Sequence, residues 1–189
     1  MQVEDVQRYQ EKMKTRLNLE VSLAKEMVEL ALSLKPDSVC LVPENRKEVT
    51  TEGGLDIISN LERSREAVKA FSDAGIPTSM FIDPDHKQLE ASAEIGSPWV
   101  ELHTGSFARA WYDPQKREVE LKTLKDGMDF GISLGLRVNA GHGINYDNVQ
   151  GAKQLDQVYE FNIGHSIISR SITHGLAEAV QSMRKLLND

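Results

Sequence analysis

Only one cysteine stands in the 189 residues, Cys40, so no internal disulfide can form, and its place in the apolar run Ser38 to Val42 reads as a small buried hydrophobe. A chain without disulfides fits a reducing, cytoplasmic setting. Basic residues are in deficit: 22 Lys and Arg against 29 Asp and Glu leave a formal charge of −7. A broad nucleic-acid surface or an anionic-membrane patch needs clustered Lys and Arg, so both partners are excluded, and any anionic ligand must be held locally. No apolar run is long enough to span a bilayer, and the opening MQVEDVQRYQEKMK is polar and amphipathic, unlike a signal peptide. Long Gly/Ser, Pro or Gln tracts are missing as well, so the whole chain is expected to fold. Rossmann and Walker glycine patterns do not occur, which argues against a nucleotide cofactor. Tight His-x-x-x-His or paired-Cys spacing is also lacking, which weakens a metal site built from His103, His142 and His165.

What is there is organised around RVNAGHG, Arg137 to Gly143. Val138 and Ala140 alternate with Arg137 and Asn139, giving a strand with one apolar and one hydrogen-bonding face. Gly141 and Gly143 let the backbone bend and leave room for a ligand, presenting His142, whose side chain titrates nearest neutrality, at the strand's end.

Three other stretches repeat the alternation: RLNLEV (Arg16 to Val21), WVELHTG (Trp99 to Gly105) and YEFNIGH (Tyr159 to His165). With SVCLV (Ser38 to Val42) and PTSMFID (Pro77 to Asp83) they make six strands. Helices are expected at Val3 to Lys14, Leu23 to Leu34, Leu55 to Ala74, His86 to Ile95, from about Lys116, at Asn145 to Leu155, and from about Ser166 to Leu187. A break is read at Asp113 and Pro114, and a polar loop, either a solvated connection or a ligand lid, over Pro43 to Gly54. Helix-length segments between successive strands forbid tight hairpins and imply parallel pairing with right-handed crossovers. The class is α/β. Strands that are polar on one face suit an enclosed, solvated site, so the expected architecture is a TIM-type (β/α)8 barrel, here incomplete with six βα units in one partial domain over residues 1–189.

Strands that surround one axis bring Asn18, Glu20, Glu101, His103, Asn139, His142, Asn162 and His165 to one rim. Two carboxylates and several imidazoles there supply general acids and bases, which points to proton-transfer chemistry. NIGHSIIS, Asn162 to Ser169, offers a glycine, small residues and free backbone N–H groups at a helix start, which suits a phosphate. The competing reading is a simple N-cap by His165 or Ser166.

Together these stretches resemble the pyridoxine 5′-phosphate synthase family, barrel enzymes that close the pyridine ring of vitamin B6. The resemblance rests on TRLNLE (Thr15 to Glu20), LVPE followed by EVTTEGGLD (Leu41 to Asp56), FID (Phe81 to Asp83), ELHTG (Glu101 to Gly105), LGLRVNAGHG (Leu134 to Gly143) and NIGHSIISR (Asn162 to Arg170). It implies condensation of 1-deoxy-D-xylulose 5-phosphate with 3-amino-2-oxopropyl phosphate, no metal or organic cofactor, and a homo-oligomer. It also implies Glu20 as proton acceptor, His142 as proton donor and Glu101 as stabiliser of charged intermediates, with Thr50, Gly143, Gly164 and His165 binding the substrates and their phosphates. The family's opening Asn-x-Asp-His and His-Leu-Arg strand ends do not occur here, so two βα units and part of the basic ligand set are expected to be missing. Two other readings stay open. One is a catalytically impaired form that binds a phosphorylated ligand or partner subunits, and the other is a different phosphosugar barrel enzyme.

Overall fold

In the computed structural model, residues 2–44 and 53–188 are described. Among them six strands form one parallel sheet in chain order: β1 (Asn18–Val21), β2 (Ser38–Leu41), β3 (Thr78–Ile82), β4 (Trp99–His103), β5 (Arg137–Gly141) and β6 (Phe161–Asn162). The helices between them are α1 (Val3–Lys12), α2 (Lys25–Leu34), α3 (Leu61–Asp73), α4 (His86–Glu94), α5 (Gly105–Arg109), α6 (Pro114–Ser133), α7 (Val149–Ala152), α8 (His165–His174) and α9 (Leu176–Asn188). Sequential parallel order with intervening helices is the arrangement of a barrel wall, and the α/β class and six βα units read from the sequence stand.

The pleat sorts the side chains. Val39, Leu41, Met80, Ile82, Val100, Leu102, Val138 and Ala140 are buried in one core with Phe71 of α3, Leu89 of α4 and Leu124 and Met128 of α6. Each of these side chains larger than alanine contributes about 1.5–3 kcal/mol by leaving water. The opposite face carries Glu20, Cys40 and Ser79 as register neighbours on β1 to β3, then Glu101 beside Asn139 and Gly141 beside Asn162. Polar groups therefore continue across the sheet through β3 and through β2, which the sequence reads as a buried apolar strand.

Three expected helices differ. The helix expected from Leu55 starts at Leu61, because the Leu55 amide donates to the Phe81 carbonyl at 2.7 Å and only a single tight turn, Ile58–Asn60, precedes α3. The break read at Asp113 and Pro114 lies between α5 and α6, and the helix expected from about Lys116 starts two residues earlier: Asp113 is its N-cap, accepting from the Lys116 amide at 3.2 Å, and proline suits the first helical turn, where no amide is needed. The segment read as a helix over Asn145 to Leu155 has only α7, since Asn145 and Asn148 satisfy each other's amides in a side-chain-bonded turn. The final helix is split in two by Gly175, whose φ of 81° and ψ of 150° leave the helical region.

Candidate active site

A cleft of about 870 Å³ opens at the C-terminal ends of the strands, lined by Asn18, Glu20, Phe81, Glu101, His142 and Asn162 together with the backbone around Gly143 and Gly164 to Ser166. Six of the eight rim residues expected from the sequence meet there: Asn18, Glu20, Glu101, His142, Asn162 and His165. Glu20 is solvent-exposed at the mouth, whereas Glu101 is 3% exposed on the floor. The other two lie behind the lining. His103 is buried beneath His142, and Asn139 is buried beside Glu101 with its Oδ1 unpartnered. Thr50 lies outside the described residues.

Glu101 is held from two sides. Its Oε2 accepts from Asn162 Nδ2 at 2.5 Å and from the Cys40 thiol at 3.6 Å. Its carboxyl group lies over Gly141, where any Cβ would collide with Oε1. Burial pushes its pKa up to about 7; the Asn162 hydrogen bond pulls the other way and the charge of Glu20 adds to the rise. A carboxyl group poised near neutrality can be neutral or charged as a reaction requires. Burial, followed by the charges of Glu101 and Glu20, raises the Cys40 pKa well above the usual thiol value, so Cys40 is an S–H donor here rather than a nucleophile. The sequence reading of Cys40 as a buried hydrophobe holds for its burial but missed this contact; the alternation of Ser38 and Cys40 with Val39 and Leu41 was the available signal.

His142 sits in the left-handed backbone region, φ 76°, where a side chain other than glycine is strained. Thr104 holds it there. Its buried hydroxyl lies 2.6 Å from the His142 carbonyl and 2.9 Å from that of Gly141, and its amide donates to the Gly141 carbonyl at 2.8 Å. On the other flank Asn148 Nδ2 donates to the Gly143 carbonyl at 3.0 Å. Burial, and then the charges of His103, Arg109 and His165, lowers the His142 pKa, so the ring is a neutral imidazole at neutral pH.

At the far wall, α8 starts at His165 with Gly164 as N-cap and no side-chain cap. Ser166 Oγ donates instead to the Ile144 carbonyl at 2.9 Å, so capping by His165 or Ser166 is not how this helix begins. The first-turn amides, which a helix leaves without internal partners, remain at the edge of the cleft, an arrangement that suits a phosphate. Among the described residues no cluster of three or more His, Cys, Asp or Glu could hold a metal ion. No described helix is long and apolar enough to cross a membrane.

A curved parallel sheet with helices on one face, and acid–base groups gathered where its strands end, defines a barrel-type α/β enzyme. Solved structures agree on the fold: a xylose isomerase domain protein from Planctomyces limnophilus superposes with a TM-score of 0.55 at 13% identity, covering 93% of this chain and 73% of that one. The CutC protein of Streptococcus agalactiae gives 0.54 at 16% identity, with 85% and 78% covered. The chain belongs to the PdxJ family of pyridoxal phosphate biosynthesis proteins, whose family model matches residues 1–189. Curated relatives named pyridoxine 5′-phosphate synthase include those of Opitutus terrae, 50% identical over all of this chain and 76% of the relative, and Prochlorococcus marinus, 48% identical over 100% and 76%. That of Pseudoalteromonas translucida is 49% identical over 92% of this chain and 71% of its own length. The resemblance read from the ordered motifs is thereby confirmed at the level of the family.

Proposed function

We propose that this chain condenses 1-deoxy-D-xylulose 5-phosphate with 3-amino-2-oxopropyl phosphate to pyridoxine 5′-phosphate, releasing inorganic phosphate and water. The reaction joins an amine and an activated methylene carbon to carbonyl groups, and each addition and dehydration moves protons on and off carbon, nitrogen and oxygen. The observation that carries the reading is the convergence of Glu20, Glu101 and His142 on one cleft whose far wall is a helix N-terminus without a side-chain cap.

Glu20, at the open mouth, takes the proton acceptor's part. His142, on the opposing strand end, returns protons to carbonyl and hydroxyl oxygens through its ring N–H. Glu101 faces the positive charge that develops on nitrogen as the imine forms; a buried carboxyl with a pKa of about 7 gives up its proton when such a charge arrives. A phosphate rests on the α8 amides at Gly164 and His165, with the Gly143 backbone beside it. Thr50 contributes a further substrate contact. The substrates are small phosphorylated molecules, the setting is cytoplasmic, and the enzyme acts as a homo-oligomer, which would cover the outer strands of the sheet.

The test is direct. The purified chain, given both substrates, is expected to form pyridoxine 5′-phosphate and one phosphate per product; binding of both substrates without product would leave a ligand-binding protein and overturn the proposal.

A further inference from the structure

A buried acid–imidazole pair lies directly behind the cleft and has no part in the chemistry above. Asp83, just past β3, is 6% exposed and His103, ending β4, is 5% exposed. His103 Nδ1 is 3.1 Å from Asp83 Oδ1, and the same oxygen accepts from the Gly54 amide at 3.2 Å. A Cβ on Gly54 would come within 2.5 Å of the Asp83 amide nitrogen, and one on Gly53 within 3.0 Å of His103 Cε1, so both glycines let the backbone close onto the pair. On its other sides the His103 ring meets Phe81 edge-on at 5.2 Å between centroids and His142 at 4.8 Å.

The consequence falls on His142. Among the described residues nothing hydrogen-bonds its imidazole, so the ring takes its orientation from the rings it packs against, His103 and Phe81 at 6.1 Å. A carboxylate fixed at one imidazole nitrogen sets that ring's plane and its tautomer. We propose that Asp83 and His103 are positioning residues: the carboxylate locks the His103 ring, and that ring seats the His142 imidazole and the Gly53–Gly54 backbone against the cleft. A buried pair that merely satisfied its own hydrogen bonds would leave the His142 ring indifferent to its loss.

The effect on turnover rests on the proposed reaction, so the test has two arms. In the full chain labelled with ¹³C-histidine, the His142 ring signal is assigned by its disappearance in His142→Asn. Asp83→Asn and His103→Phe are expected to move and broaden that signal while leaving those of His86 and His174 in place. In turnover, each is expected to lower kcat about 10- to 100-fold with KM changed by less than about threefold. The double variant is expected to lose no more than either single one, because the pair acts as a unit. If either buried substitution prevents folding, His103→Gln, which keeps an amide donor toward Asp83 but removes the ring, carries the same two expectations. An unmoved His142 signal in a folded variant overturns the proposal, as does a loss confined to KM or losses that multiply in the double variant. A parent chain without turnover would sink the reaction but not the pair, which the ring signal still decides.

Discussion

The Thr104 hydroxyl lies 2.6 Å from the carbonyl oxygen of His142, and this contact joins the end of β4 to the strained turn after β5. Thr104→Val keeps the side-chain shape and removes the hydroxyl donor, leaving the His142 carbonyl short of its partner while the Gly141 carbonyl keeps the residue-104 amide. The cost is expected to be about 1–3 kcal/mol of stability, and kcat is expected to fall because the turn no longer holds His142. Urea unfolding and steady-state rates check both; an unchanged kcat would show that Thr104 does not set the turn.

Strain at His142 makes the opposite trade. His142→Gly removes a side chain from a left-handed conformation, φ 76°, and is expected to stabilise the fold by about 1 kcal/mol while abolishing turnover. A thermal melt and an activity assay on one preparation suffice. A destabilised variant would mean that packing of the imidazole outweighs the backbone strain.

Glu101 gives a pH signature. Folding raises its pKa from 4.5 to about 7, chiefly by burial, so its contribution is fully present below the unfolded value and is lost as pH rises through about 7. Glu101→Gln cannot ionise. It is therefore expected to be more stable than the parent at pH 8, by on the order of 2–3 kcal/mol, with that advantage gone near pH 4. Urea denaturation at the two pH values measures the difference; an equal gap at both would show that Glu101 is not the group responsible.

Much of this was legible in the sequence because strand alternation has a period of two and survives local irregularity. Glu20, Glu101 and Asn162 fall on one face by alternation alone, and Gly141, His142 and Gly143 announce a tight turn. The positive φ fell on His142 as well as on Gly143, and the support from Thr104 could not be read, because that contact crosses between strands 37 and 38 residues apart. Asp83 was visible only as the end of a strand, and its link to His103 also depends on tertiary packing. Asp113 and Pro114 marked the start of α6 to within two residues, because proline tolerates only the first helical turn and an aspartate caps it. The extent of β6 was overestimated, with Phe161–Asn162 where seven residues alternate, since alternation marks an extended face but not which amides find a partner.

The central claim is that a mouth carboxylate and a floor constellation share one reaction, and the rate of Glu20→Gln tests it most directly. Glu20 is exposed at the cleft, so the substitution should leave the fold and phosphate binding intact. Pyridoxine 5′-phosphate formation, followed at saturating substrates, is expected to fall about 100-fold or more, within the range that positioned proton transfer contributes. A variant that turns over at the parent's rate would contradict the account.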